Sequence, residues 1–302
     1  MTATSAAPGG PGRAAGEQPA KDGLFGPGSA TWRVMGHPVM WVAGFRALYL
    51  QALHPEVMRG TWQNTAFADP KEAWGRFVRT TQFVRTRTYG SLAEVERAGR
   101  RVRKLHASLR GVREDGTGFR LDEPELLLWV HCAEVASYAE VARRSGLRLQ
   151  PGDLDRFVDE QRRSAAVVGL DPAAVPASAA ALGDYIEQAR PRLRLTPEAR
   201  RALLRSLNPP LPTAYLPLKL AVPPLTTLAF ASLPRWARKL YGLPGSPLTD
   251  LGATAGLRAF HETAGFMPGQ LLPAARAASR RIRGAKQPAT ASPPAAALRA
   301  AQ

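Results

Sequence analysis

The stretch 91–111, SLAEVERAGRRVRKLHASLRG, constrains the fold more than any other. Ser91 and Glu94 form a capping box, in which hydroxyl and carboxylate satisfy the first free amides of a helix. Val95, Ala98, Val102, Leu105 and Leu109 then recur at helical spacing as one apolar stripe, and Arg97, Arg100, Arg101, Arg103 and Arg110 cover much of the rest. A one-sided helix must find a packing partner, and the next stretch offers one. Residues 122–125 read as a second N-terminal cap, followed by ELLLWVHCAEVASYAEVARR with Leu127, Leu128, His131, Val135 and Tyr138 on one face. Each helix thus carries a histidine, His106 or His131, on or beside its apolar stripe. An imidazole there is either a satisfied core residue or a ligand, and spacing alone favours the core reading. Two such helices in succession are nevertheless what a helical cofactor pocket needs.

The rest of the chain keeps the same period. Residues 39–53 form a helix with Val42, Phe45, Leu48, Tyr49, Ala52 and Leu53 on its face. It stops at His54-Pro55, because the residue before a proline avoids the helical region. His54 is therefore expected as a C-terminal cap, and Arg46 as a surface residue. Asp69-Pro70 opens the next helix, with Trp74, Phe77, Val78, Thr81 and Val84 as its apolar side. Arg76 and Thr80 stand one turn apart on an adjacent face, where both can donate to one bound anion or oxygen species. On spacing alone the simpler reading, an exposed arginine beside a neutral neighbour, is preferred.

Residues 113–120 read as a polar turn, and further helices fit 153–168, 178–189 and 196–207. The apolar run 211–233 is broken by Pro217, Lys219, Pro223 and Pro224, so two short buried helices are expected rather than a membrane-surface segment. A short helix fits 234–243, and one or two more fit 250–283. Neither a convincing alternating strand nor a repeat is found, which places the chain in the all-α class. Residues 1–23 and the Ala/Pro-rich tail 285–302 lack apolar pattern and are expected to be disordered, leaving one folded domain over 24–284.

Composition narrows the function. The 302 residues carry 41 Lys plus Arg against 24 Asp plus Glu, a net charge of +17. Such an excess suits acidic partners. No basic block exceeds two adjacent residues, however, so the charge reads as spread over solvated helix faces rather than as a specific nucleic-acid site. The single cysteine, Cys132, forbids an intrachain disulfide and suggests a reducing compartment. No secretory signal pattern and no 18-residue apolar run is found, so a cytoplasmic location is expected. Nucleotide-cradling glycine loops, a G-x-S-x-G elbow, HExxH and the Glu-x-x-His di-iron motif are all missing from the sequence. A His-carboxylate iron site at His131 and Glu134, an axial-His haem, or no cofactor at all stay open.

Six segments in order then match a known family: GPGSATWRV (26–34), RALYLQALHPEVMRG (46–60), GRFVRTTQFVRTRTYG (75–90), VRKLHASLRG (102–111), ELLLWVHCAEVASY (125–138) and KLYGLPG (239–245). Through them the chain resembles the DUF2236 family, the catalytic domain shared by bacterial rubber oxygenases (latex-clearing proteins) and the fungal oxygenase of mycophenolic acid biosynthesis. The resemblance implies an all-helical, globin-like fold and a haem b with an axial histidine. It also implies an Arg and a Thr approaching the haem pocket from one helix, beside a Lys able to cover the iron. Carried onto this sequence, the Arg is Arg76 and the Thr is Thr80. Arg79 occupies the Lys position, a departure that removes self-capping because a guanidinium stays charged and ligates iron poorly. The VRKLH motif points to His106 as the axial ligand, with His131 as its competitor and His54 as a candidate acid/base group. The rubber-cleaving branch is secreted, so the expected substrate here is instead a small, largely apolar metabolite oxidised by O₂. Two rival readings are a non-catalytic ligand carrier and a haem-free basic protein that binds nucleic acid. Oligomeric state is not readable from the sequence.

Overall fold

The computed structural model describes residues 23–65, 70–207, 216–243 and 245–263. Ser29 caps α1 (Ala30–Met35) through its Oγ, which accepts from the Trp32 amide at 3.1 Å. Pro55 separates α2 (Met40–Gln51) from α3 (Pro55–Gln63), since it cannot continue one helix yet suits the first turn of the next. α4 (Pro70–Tyr89) and α5 (Leu92–Ser108) form a hairpin, and its turn is fixed by the Ser91–Glu94 capping box. A two-stranded antiparallel ribbon, β1 (Arg110–Val112) and β2 (Gly118–Arg120), leads into α6 (Pro124–Arg144). Next come α7 (Asp153–Val167), α8 (Ala179–Ala189), α9 (Pro197–Leu207), α10 (Leu216–Ala231), α11 (Arg235–Leu240) and α12 (Pro247–Thr263). The architecture is all-α, as the helical periodicity predicts.

α6 is apolar on several sides because it is the central helix. It lies along α2, and α7, α8 and α12 pack on its other sides. Val39, Val42, Leu50 and Leu53 share one core with Trp129, Cys132, Ala133 and Val141, all of them buried. Each such Val or Leu contributes about 1.5–3 kcal/mol relative to exposure, so this pairing is the main stabilising layer. Polar ties fix its register. The carboxylate of buried Glu160 accepts from the Ala30 and Thr31 amides at 3.1 and 2.7 Å, and so satisfies the open end of α1.

Several expectations are corrected. The 113–120 region is not only a turn: Gly111 pairs with Phe119 in a short ribbon. A Cβ at Gly111 would fall 2.2 Å from the Phe119 ring, so glycine is what lets the aromatic cover the strand. Arg46 is buried, not superficial. Its Nη1 donates to Ser137 Oγ at 2.8 Å and its Nε to the Ser232 carbonyl at 3.2 Å, joining α2 to α6 and to the end of α10. Residues 216–231 make one helix despite Pro223 and Pro224; proline's fixed φ is helical, and buried Val222, Ala229 and Phe230 offset the lost amide bonds. The start of α6 has no side-chain cap, because Glu123 Oε1 instead accepts from the Arg120 amide. The expected disorder of 1–22 and 285–302, and any helix beyond Thr263, lie outside the described residues, while Gly23 is bridged to Ser91. No helix among the described residues is long and apolar enough to cross a membrane.

Candidate active site

The α4–α5 hairpin does the first positioning. Its two helices run antiparallel about Ser91, and Arg76 and His106 each stand fifteen residues from that serine (91 − 76 and 106 − 91). Equal rise along both helices therefore sets them side by side. The Arg76 charge accordingly acts on the His106 ring. Burial first, and Arg76 second, hold the imidazole below its ordinary pKa, against a weaker opposing pull from Asp122. His106 is half-buried, and its Nδ1 is buried without a hydrogen-bond partner. Arg76 is half-buried and anchored, its Nη1 donating to Thr65 Oγ1 at 2.7 Å. Burial, then the neighbouring Arg79, lowers the pKa of its guanidinium.

The stripe around His106 is less buried than its spacing suggests. Val95 and Ala98 are buried and Val102 half-buried, but Leu105 is 53% exposed. The apolar pattern continues past the point where α7 covers α5, which leaves Leu105 as open apolar surface beside the histidine. Thr80 and Val78 on α4 are exposed as well. Arg79 is exposed and folds back along its helix, its Nη1 lying 3.2 Å from the position a Cβ on Gly75 would take. Arg103 and Arg110, which flank His106 in sequence, are committed elsewhere: Arg103 to the Val167 carbonyl and Glu96, Arg110 to the Ala107 and Leu109 carbonyls.

His131 occupies a different setting. It is buried, and burial pushes its pKa down to about 4. Its Nε2 has no partner, whereas Glu134, one turn away, accepts from Arg87 Nη2 at 2.7 Å. Arg87 was not anticipated. It lies seven residues after Thr80 and so on the same face of α4, a spacing that was open to reading. Among the described residues no three His, Cys, Asp or Glu side chains converge on one point. A mononuclear iron centre at His131 and Glu134 thus lacks its third ligand there, and a group needing one axial imidazole fits the donor set better.

His54 sits at the N-cap of α3: its carbonyl accepts from the Met58 amide at 3.0 Å, its amide donates to the Gln51 carbonyl at 3.2 Å, and its side chain makes no capping bond. It is buried against Trp129, with ring centroids 6.3 Å apart. Burial lowers its pKa, Glu56 opposes this, and Arg192 and Arg194 add to it. These are not the charges that act on His106. Arg192 also lies at the edge of a cavity of about 480 Å³, lined by Leu128, Leu170 and Tyr185, where it is paired with Glu125. Sequence reasoning missed this cavity because its walls come from separated segments.

A family model described as the catalytic domain of ER-bound oxygenase mpaB/B′ and rubber oxygenase matches residues 32–266. That span contains every residue of the candidate site, from His54 to Arg192. Among curated proteins and among solved structures, nothing matches.

Proposed function

This chain belongs to the catalytic-domain family of ER-bound oxygenase mpaB/B′ and rubber oxygenase, an oxygenase family, and from that premise we propose a haem b-dependent oxygenase with His106 as the iron ligand. The observation that carries the reading is the α4–α5 pairing: a desolvated imidazole with an unpartnered nitrogen, set beside an anchored guanidinium. Haem bound there would supply the binding and activation of dioxygen.

The chain's own residues have separable tasks. His106 is kept neutral, the form whose lone pair can ligate, because both burial and Arg76 oppose its protonation. Arg76 is held by Thr65 before any ligand arrives, so it acts as a pre-organised donor to an anionic or oxygen-bearing group. Thr80, one turn on, adds a hydroxyl able to donate or accept. Arg79 is too strongly basic to ligate and serves as a positive neighbour instead. Exposed Leu105, the residue before His106, leaves open apolar surface on α5, which suits a small, largely apolar substrate. His54 is the candidate acid/base group, since burial favours its neutral form.

The test is spectroscopic. Protein produced with haem available should show a Soret band and a b-type pyridine haemochromogen at one haem per chain. His106→Ala should fold yet remain colourless, and added imidazole should partly restore the band. Loss of colour in His131→Ala alone would move the ligand to α6, and a colourless wild-type chain would remove the haem reading altogether.

A further inference from the structure

The cavity beside Arg192 is built at the seam between two apolar clusters. Tyr185 packs on the main core, Leu170 belongs to a small separate cluster with Leu127, Ala165 and Val175, and Leu128 packs against both. The wall that follows α7 is held in place by its own hydrogen bonds. Gly169 ends α7 at a left-handed φ of 98°; its amide donates to the Ala166 carbonyl and the Leu170 amide to the Ala165 carbonyl, both at 3.1 Å. Asp171 Oδ1 then accepts from the Ala173 amide at 2.9 Å, and Arg162 Nε donates to the Pro172 carbonyl at 2.8 Å, which fixes the short turn Pro172–Ala174. The same region touches both candidate histidines of the site. Arg103, one turn before His106, donates to the Val167 carbonyl at 2.8 Å, and its Cδ lies 3.5 Å from where a Cβ on Gly169 would stand. Asp122, three residues before the cavity's Glu125, acts on His106, while Arg192 acts on His54.

Size and lining decide what such a cavity can hold. Its 480 Å³ or so falls within the roughly 300–1,000 Å³ of small-molecule pockets. Leu128, Leu170 and Ala174 give it carbon walls. The Tyr185 hydroxyl is buried away from solvent, so that residue offers its ring. The charged groups at the edge are already committed, Glu125 to Arg192 and Asp171 to the Ala173 amide. An ionic headgroup would meet two carboxylates and one guanidinium there, none of them free, and would lose its hydration without a new partner. We propose that this cavity encloses the hydrocarbon body of an uncharged small molecule, which, on the oxygenase reading above, is the substrate. Leu105 offers only open surface, whereas a cavity removes most of a ligand's apolar area from water, and that removal is the source of apolar affinity.

Fluorescence titration of the full haem-free chain with N-phenylnaphthylamine, an uncharged apolar dye, tests the site without any contribution from iron. The expected result is one saturable site with enhanced, blue-shifted emission. Decanol should displace the dye, and decanoate, its charged counterpart of equal length, should do so roughly tenfold more weakly or worse. Ala174→Trp adds bulk at an exposed position of the cavity wall and should weaken dye binding by roughly tenfold or more at an unchanged melting temperature. Leu128→Trp should do the same from the interior, with circular dichroism to check its folding. Leu251→Ser removes an exposed leucine outside the cavity and should leave binding as it was. No saturable binding by the wild-type chain, wild-type affinity in Ala174→Trp and in folded Leu128→Trp, or displacement by decanoate as strong as by decanol overturns the proposal. Loss of binding on Leu105→Ser alone also overturns it, by moving the dye to the hairpin surface. The haem reading is judged separately by the Soret band: a colourless chain that binds the dye keeps the cavity site, and a haem-binding chain that does not bind it loses the cavity site alone.

Discussion

His106 and His131 read alike in sequence, yet they have different surroundings. Both are desolvated and both keep an unpartnered nitrogen, but only His106 has Arg76 acting on it, whereas His131 has the Arg87–Glu134 pair within reach of its ring. Arg76 thereby becomes the discriminating residue. Its guanidinium is fixed by Thr65, so replacing it removes one oriented donor without opening the core. Arg76→Ala should keep haem content near the wild-type level while turnover falls by about 10²-fold, as for loss of a single pre-organised donor. Haem content from the pyridine assay and oxygen uptake with substrate, measured on the same preparation, separate the two effects. Undiminished uptake would leave Arg76 with a structural role only. Arg76→Lys should recover little, because an ammonium lacks the guanidinium's fixed fork.

Among the elements, helix existence was legible and helix contacts were not. The capping box at Ser91, the Asp153–Val167 helix and the Pro197 start follow from local signals, which act within one turn. The errors came where distant segments decide. Arg46 looked solvent-exposed because its acceptors, Ser137 and Ser232, are far away in sequence. Leu105 looked buried because periodicity gives a face but not where its cover ends. The candidate site was legible only in part for the same reason: spacing placed Arg76 and Thr80 on one helix, and only the hairpin placed His106 beside Arg76. Gly99 makes the point quantitatively. In an isolated helix, alanine there would gain up to about 1 kcal/mol over glycine. In the fold its Cβ would lie 2.9 Å from both the carbonyl oxygen and Cγ1 of Val167, where α7 crosses α5. Overpacking of that kind costs about 1–3 kcal/mol, and a backbone oxygen cannot rotate away. Gly99→Ala is thus expected to lower stability in urea unfolding; an increase would mean that α5 and α7 separate readily.

At the scale of the molecule, the charge of +17 is partly built into the core rather than spread over the surface. Arg46, Arg87 and Arg238 are buried, and Arg238 donates to the Leu233 carbonyl and to Asp250 while Arg144 reaches Ser232 and Asp250. Arg87 and Arg238 are paired with Glu134 and Asp250, and Asp153 and Glu160 are buried as well, so it is desolvation of the imidazoles, rather than net interior charge, that resists their protonation. Burial lowers His37 and His131 to about 4, and shifts His54 and His106 in the same direction. A lowered folded-state pKa means that the unfolded chain binds more protons between about 6.5 and 4, so stability is present above that window and is lost as pH falls through it. For His131, the most enclosed of the four, the shift from 6.5 to about 4 corresponds to at most ~3 kcal/mol. Haem-free protein should therefore show a urea midpoint that is level from pH 7 to 9 and drops steadily towards pH 4.5. His131→Leu removes one of the two largest contributions and should flatten that drop, even though its stability at pH 7 changes for packing reasons of its own. Comparing slopes against pH, rather than midpoints at one pH, isolates the proton linkage. Parallel slopes in the two proteins would show that His131 is protonated in the folded chain and that the enclosure of α6 is looser than its packing indicates.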